Sequence, residues 1–235
     1  AKNDGATAVF ISALENHHEC LALLLQNGAD ANIATNDGWA PLYTSAWKNH
    51  HECLALLLQN GADAERANSD GATAVYISAQ KNHHECLALL LQNGADANTA
   101  KNGGWAPLHI SAKKNHHECM ALLLQNGVDA GGVTNRGFTP LRIAAGYNSQ
   151  DCVTLLLQNG AAVDVVDEDG RTALMWASED GHQLIAEMLV QGRANIDIAA
   201  NDGTTAIDIA REKGHAALAR YLDAESKWRR RGPLV

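Results

Sequence analysis

One motif recurs along this chain at a constant interval, and this interval limits the possible folds more than any other feature of the sequence. The stretch Asn16–Gly28 returns almost letter for letter three times, and a diverged copy lies at Asn148–Gly160. The interval is 33 residues, as the cysteine of the motif shows by recurring at Cys20, Cys53, Cys86, Cys119 and Cys152. Such a period is typical of a solenoid, because so small a unit cannot bury its own apolar face and must pack against the next one.

The period accounts for nearly all of the 235 residues. A turn glycine recurs at the same interval from Gly5 to Gly203, which predicts seven repeats. They span about residues 3–35, 36–68, 69–101, 102–134, 135–167, 168–200 and 201–225. We therefore expect a single domain over residues 1–225, closed by a more polar last repeat, and a disordered basic tail over residues 226–235.

The composition excludes several classes of protein. A net charge of −9 argues against a dedicated nucleic-acid binder, which would present a basic face. The sequence contains no run of about 18 apolar residues, so it predicts no membrane-spanning helix. Equivalent cysteines in stacked repeats should lie roughly 8–10 Å apart, beyond the limit of about 7 Å between the Cα atoms of a disulfide. Unpaired thiols favour an intracellular protein, cytoplasmic or nuclear, and we expect it to be a monomer.

Every repeat predicts the same local structure. It opens on a turn such as Asn36-Asp37-Gly38 and continues in a short helix such as Ala40–Ala46. That helix ends at an asparagine such as Asn16, or at Gly181 and Gly214 in the last two repeats. The second helix, represented by Cys20–Leu25, is apolar almost all the way round. Such a helix must be covered on most sides, and two flanking repeats would supply that cover.

These residues resemble the ankyrin repeat. The resemblance is clearest in Gly137–Ala145, which contains Thr-Pro-Leu, and in Leu155–Ala161, which contains Leu-Leu-Leu-Gln-Asn-Gly-Ala. It recurs in all seven repeats and covers about 225 residues. It implies an all-α ankyrin-repeat solenoid, with a β-turn and two antiparallel helices per repeat, stacked as L-shaped units into a curved array. It also implies a non-catalytic scaffold that binds other proteins.

Four repeats depart from the Thr-Pro-Leu pattern. Thr7 and Thr73 are followed by alanine rather than proline, and Ala40 and Ala106 replace the threonine. Threonine caps a helix through its side-chain oxygen, whereas alanine cannot. We expect these changes to weaken individual helix starts without changing the fold.

The sequence His-His-x-Cys recurs four times and contains residue types that bind zinc. His17 and Cys20 could share one face of a helix, but zinc needs about four ligands within roughly 2.0–2.3 Å of one point. The cysteine belongs to the buried side, and the copy in the next repeat is too distant to complete a site. We therefore expect no metal and no cofactor, and a metal-binding repeat protein is kept as an alternative for metal analysis to test.

Catalytic patterns are equally absent from the sequence. No nucleophile–base pair, phosphate-binding glycine loop or paired carboxylates occur outside the repeat pattern, so we expect no enzymatic activity. The resemblance permits hydroxylation of Asn32 or Asn98 by an asparaginyl hydroxylase, and an ordinary turn asparagine is the alternative.

Residues that the repeat itself does not require are the candidates for partner binding. In ankyrin repeats, partners usually contact the turn tips and the exposed ends of the first helices. In this chain those positions carry aromatic and basic side chains: Trp39, Trp47, Lys48, Lys81, Trp105, Lys113, Lys114, Phe138 and Tyr147. Aromatic rings beside cations are typical of binding hot spots. We therefore expect a protein partner whose acidic segment carries apolar anchors and lies along a concave strip.

Two alternatives to this interpretation stay open. The tryptophans could pack on neighbouring turn tips while the lysines only aid solubility. The array could also be the targeting or regulatory domain of a larger enzyme or channel. The sequence does not separate these two interpretations, because the residues that decide between them would lie outside it. The partner, the organism and the pathway do not follow from these residues.

Overall fold

The computed structural model describes residues 4–231, which form fourteen helices and, over that range, no β-strand. The helices are α1 (Ala8–Leu14), α2 (His18–Gln26), α3 (Pro41–Lys48), α4 (His51–Gln59), α5 (Ala74–Lys81), α6 (His84–Gln92), α7 (Pro107–Lys114), α8 (His117–Gln125), α9 (Pro140–Gly146), α10 (Gln150–Gln158), α11 (Ala173–Glu179), α12 (Gln183–Gln191), α13 (Ala206–Glu212) and α14 (Ala216–Arg231). Each repeat supplies one odd-numbered first helix and one even-numbered second helix, as the sequence predicts.

Local chemistry starts and ends the first helices. The Thr73 hydroxyl accepts a hydrogen bond from the backbone N–H of Tyr76 and so caps α5, whereas Ala40 offers α3 no such cap. At the other end, Asn49 and Asn82 adopt left-handed conformations with φ of 61° and 60°. Asparagine is among the few residues that tolerate this conformation, so the predicted helix ends are confirmed.

The chain divides into two compact units. The first unit contains the described residues of Ala1–Ser111 together with Glu118–Val128. The second contains Ala112–His117 and the described residues of Asp129–Val235. Folding of residues 1–225 as a single domain stays a prediction.

In the first unit, successive repeats pack helix against helix. The first helices α1, α3 and α5 contact one another in order, and so do the second helices α2, α4 and α6. Side chains join these layers, since His50 Nδ1 lies 2.9 Å from the carbonyl oxygen of Ala13 and His83 Nδ1 lies 2.8 Å from that of Ala46. Leu57 and Leu90 are completely buried between the layers.

The second unit repeats this arrangement with different side chains. Helices α9, α11 and α13 pack in order, and α10 packs against α12. His182 Nε2 lies 3.3 Å from the carbonyl oxygen of Gly146, and His215 Nε2 lies 3.0 Å from that of Glu179. These histidines therefore bridge to the preceding first helix, as His50 and His83 do in the first unit.

The expectation of disorder from residue 226 is corrected for residues 226–231, which continue helix α14. Ser226 donates a hydrogen bond to Asp197 over 2.7 Å, and Arg230 pairs with the same carboxylate. Arg229 donates to the carbonyl oxygens of Val190 and Ala194, where α12 ends. These contacts anchor the last turns of α14; residues 232–235 lie outside the described residues.

Candidate functional site

The tryptophans at the second turn tip and at the end of α3 meet on one surface. Trp39, Tyr43 and Trp47 follow one another at intervals of four residues, the spacing that aligns side chains along one face. The Trp39 ring centroid lies 5.1 Å from that of Tyr43, edge-on, and 6.2 Å from that of Trp47. Tyr43 is buried beneath, while Trp39 and Trp47 each remain 37% exposed.

A cation completes this surface. Lys48 Nζ lies 4.5 Å from the centroid of the Trp47 ring, a cation–π distance. We call Trp39, Trp47 and Lys48 the tryptophan surface. The structure thus brings together three of the residues predicted for partner binding.

The other predicted residues of the first unit are more scattered. Lys81 is exposed at the end of α5. Trp105 is half-buried: its ring lies edge-on to His109 at 6.2 Å, and its backbone forms an isolated bridge with Lys101. Trp105 thus packs on its own helix α7 and is less exposed than Trp39 or Trp47, and packing of the tryptophans on neighbouring turn tips stays an alternative.

In the second unit, Lys113 and Tyr147 form a second cation–aromatic pair. Lys113 Nζ lies 5.0 Å from the Tyr147 ring centroid, and Tyr147 is 54% exposed. Lys114 is exposed nearby in the chain, whereas Phe138 is half-buried. Their role in binding stays a prediction.

Phe138 belongs to a stack of alternating cations and rings that the sequence did not reveal. The Arg142 guanidinium lies between the ring of Phe138 at 3.4 Å and the ring of Trp176 at 3.7 Å. Arg171 covers the same Trp176 ring at 4.1 Å, and Arg136 covers Phe138 at 5.0 Å. Each such contact is worth about 0.5–2 kcal/mol, depending on how far the cation is desolvated.

A buried carboxylate orders this stack. Asp167 accepts a hydrogen bond from the Trp176 indole N–H at 3.0 Å and further bonds from the backbone N–H groups of Asp169 and Arg171. Its Oδ2 atom lies 3.6 Å from Arg142 Nε, an ion pair without a hydrogen bond. Burial lowers the pKa of Arg142 to about 10, and the negative charge of Asp167 offsets part of this effect. Because this pKa is still well above 7, the guanidinium stays charged at neutral pH.

One signal in the sequence could have pointed to Arg142. The equivalent position is buried in four other repeats, where it holds Tyr43, Tyr76, His109 and Met175, and half-buried in the first and last repeats, where it holds Phe10 and Asp208. A fully charged arginine at a position that most repeats bury indicates a special environment. The partner ring, Trp176, has no comparable signal, because its place on the guanidinium depends on the packing of α9 against α11.

The cysteines are free thiols, but not all are buried as expected. Cys53, Cys86, Cys119 and Cys152 are buried, whereas Cys20 is exposed. The expectation for Cys20 was wrong because, among the described residues, no preceding second helix covers α2. Leu23 of the same helix is 61% exposed for the same reason.

The His-His-x-Cys motif holds the repeats together in the structure. His50 contacts the Ala13 carbonyl oxygen, and Cys53 Sγ lies 3.5 Å from the side-chain oxygen of Asn16. The second histidine, represented by His51, is exposed beside Glu52. Within residues 4–231, no three His, Cys, Asp or Glu side chains are grouped so that they could hold a metal ion.

Two further features concern modification and membranes. Asn32 donates to the carbonyl oxygen of Gly61 and accepts from the backbone N–H of Asp63, so its side chain joins two repeats. Hydroxylation of Asn32 or Asn98 stays a prediction.

None of the helices described has the length and apolar character required to cross a bilayer.

Comparison with known proteins identifies the repeat. A family model described as ankyrin repeats (3 copies) matches residues 1–68, 61–131, 94–167, 121–202 and 143–228. The crystal structure of the human ASB11 ankyrin repeat domain is similar, with 27% sequence identity and a TM-score of 0.82 over 98% of this chain and 100% of that chain. No curated protein sequence matches. The predicted all-α ankyrin-repeat fold is thus confirmed, and the chain belongs to the ankyrin repeat family.

Proposed function

We propose that this chain is a protein-interaction scaffold, without catalysis of its own, that binds a segment of a partner on its turn tips and first helices. Ankyrin repeats generally mediate protein–protein interaction. The observation that supports this particular surface is the contact between Trp39 and Trp47, two large rings that stay 37% exposed.

Physical chemistry favours the tryptophan surface as an anchor site. Tryptophan is enriched among the few residues that carry most of the energy of an interface. Trp39, Tyr43 and Trp47 already support one another, so a partner that covers the two exposed rings immobilises few side chains. Lys48, held over Trp47, adds a positive charge for an acidic group of the partner.

Affinity capture with matched variants tests the proposal. The wild-type chain, the double variant Trp39→Ala/Trp47→Ala and the control Trp228→Ala would be used as baits. Trp228 is 65% exposed on α14, so its replacement removes an equally large ring elsewhere. We expect the wild type and the control to retain a common partner and the double variant to lose it. With the purified partner, each tryptophan should contribute about 2–4 kcal/mol to binding.

Circular dichroism of each variant would verify that the helices are intact. A partner captured equally well by the double variant, and cross-linked to exposed residues of the second helices, would contradict the proposal.

The charge of the partner is tested separately through Lys81, which is exposed at the end of α5. If the partner segment is acidic, Lys81→Glu should slow association and weaken its dependence on salt, with little effect on dissociation. Stopped-flow measurements at several salt concentrations would show this. Association that becomes faster in the variant would argue for a basic partner.

We infer an intracellular protein from the free thiols at all five cysteines, which are favoured in a reducing compartment. A monomeric state stays a prediction. Light scattering of the purified chain and fractionation of cells that produce it test this prediction and this inference, respectively.

A further inference from the structure

A groove of about 420 Å³ lies within the second unit, beside the stack of arginines and rings. We call it the arginine groove. It is lined chiefly by Arg136, Phe138, Arg142, Tyr147, Asp169 and Trp176. A site of this volume accommodates one or two side chains of a bound polypeptide.

The Arg142 side chain is the unusual feature of this groove. Only 10% of it is exposed, and its Nε atom is buried without a hydrogen-bond partner. No described residue accepts a hydrogen bond from the Arg142 guanidinium, and the nearest carboxylate oxygen of Asp167 lies 3.6 Å from Nε. A guanidinium carries five N–H donors, and a buried donor such as Nε is nearly always paired in folded proteins. The two terminal nitrogens donate to no described residue, so their donors are available to a ligand.

The surroundings hold this guanidinium in place. The Cζ atom of Arg142 lies 3.4 Å from the centroid of the Phe138 ring and 3.7 Å from that of the Trp176 ring, so two rings restrict its movement. Asp167 accepts hydrogen bonds from the Trp176 indole and from two backbone N–H groups, which hold its Oδ2 atom 3.6 Å from Arg142 Nε as an ion pair without a hydrogen bond. A planar guanidinium fixed in this way is preorganised for a planar, bidentate acceptor, and carboxylate has that geometry.

The rim of the groove distinguishes a carboxylate from a more highly charged ligand. Asp169 and Asp180 line it and are exposed. Their negative charges would repel a doubly charged phosphate more strongly than a singly charged carboxylate, and they favour a cation next to the bound anion. The exposed Tyr147 ring offers an apolar wall for the stem of the bound side chain.

We propose that the arginine groove binds an acidic side chain of the partner segment, with the Arg142 guanidinium as its recognition group and with a neighbouring basic residue of the partner facing Asp169 and Asp180. This rests on the proposed function, because the occupant is a partner polypeptide. It adds a specificity site that is independent of the tryptophan surface.

Selection of short random peptides displayed on phage tests the groove. The bait is the full chain with Trp39→Ala/Trp47→Ala, so that the tryptophan surface does not dominate the selection. We expect enriched peptides to share a Glu or Asp next to a Lys or Arg. Replacing that Glu by Gln in the peptide should weaken binding about 10- to 100-fold, the effect of a lost hydrogen bond to a charged group.

The matched variants of the chain are Arg142→Gln and Arg220→Gln. Arg220 is exposed on α14, so its replacement removes the same charge away from the groove. Arg142→Gln should weaken peptide binding as much as the peptide's Glu→Gln change, and the two changes together should weaken it no further. Arg220→Gln should leave it unchanged. The peptide substitution leaves the fold of the chain untouched, so the test holds even if Arg142→Gln folds poorly.

Three results would overturn the inference: no enriched peptide that depends on Arg142, peptides that tolerate the Glu→Gln change, or a phosphoserine peptide that binds more tightly than its Glu counterpart. The proposed function is judged separately, by whether Trp39→Ala/Trp47→Ala loses the captured partner. Either proposal can therefore fail while the other stands.

Discussion

At the residue scale, the five cysteines occupy one position of the repeat yet fall into two chemical classes. Burial raises the pKa of Cys53 to about 11 and that of Cys86 and Cys119 to about 12, with nearby glutamates adding to the effect. These thiols stay protonated at neutral pH, and the thiolate is the reactive form. Cys20 lies exposed on α2.

Thiol labelling should therefore be biphasic. We expect Cys20 to react with iodoacetamide rapidly in the native chain, and the four buried cysteines to react at the slower rate at which the structure opens. Mass spectrometry of labelled peptides identifies each site, and Cys20→Ser should abolish the rapid phase. Rapid labelling of Cys86 in native protein would show that α6 is less well covered than described.

At the scale of the element, the first helices differ in how they begin. Thr73 caps α5 through its hydroxyl, whereas Ala40, at the equivalent position of α3, makes no side-chain cap. The sequence-based expectation that alanine weakens the helix start agrees with this missing hydrogen bond. Helix α3 retains Pro41 in its first turn, where the ring fixes a helical φ and costs no hydrogen bond.

Exchanging the two caps measures the effect. Thr73→Ala should lower the free energy of unfolding by about 1 kcal/mol, and Ala40→Thr should raise it by up to about 1 kcal/mol, because a hydroxyl oxygen satisfies a free N–H of the first turn. Urea denaturation followed by circular dichroism gives both values. Destabilisation by Ala40→Thr would mean that the second repeat has no room for the hydroxyl and methyl groups.

Helix α14 depends on an ionised carboxylate at its C-terminal half. Hydrogen bonds from Arg230 and Ser226 hold the pKa of Asp197 below its usual range. Because the folded pKa is lower than the unfolded one, the stabilisation is complete above about pH 4, the ordinary aspartate value, and is lost as pH falls through the folded pKa.

Asp197→Asn should therefore lower the Tm at neutral pH, and the difference from wild type should shrink once the pH falls below about 4. Thermal melts from neutral to acidic pH give the profile. Arg230→Gln removes the partner and should produce the same pH dependence. A difference that stays constant down to acidic pH would show that the Asp197 charge does not anchor α14.

At the scale of the whole molecule, stability should follow from each repeat and its contacts with its neighbours. Leu90 is completely buried in α6, which packs against α4, whereas His84 stands on the exposed side of α6. Damage to a buried position should therefore spread to the adjacent repeats, and damage to an exposed one should not.

Leu90→Ala should cost about 2–5 kcal/mol of unfolding free energy, as a large-to-small change in a packed core. His84→Ala, its control on the same helix, should stay within about 0.5 kcal/mol. Hydrogen exchange should rise in α4 as well as α6 for the leucine variant. Equal costs for the two substitutions would mean that the buried and exposed sides of α6 are assigned wrongly.

The architecture of the repeat could be predicted from the sequence alone, because it depends on local chemistry repeated at a constant interval. Asn49 predicts a left-handed helix end in any repeat, Thr73 predicts a cap, and the leucines of each second helix predict burial on several sides. Even the meeting of Trp39 with Trp47 follows from their placement around a single short helix. None of these inferences requires knowledge of which distant residues are neighbours.

The environment of residues whose partners come from another repeat could not be predicted in this way. Arg142 stands at a position that other repeats bury, but only the packing of α9 against α11 brings the Trp176 ring onto its guanidinium. Cys20 stands in the same sequence motif as the buried Cys53 and Cys86, yet no described helix covers it. In both cases, burial is a property of what packs against a side chain, and a local pattern does not contain that information.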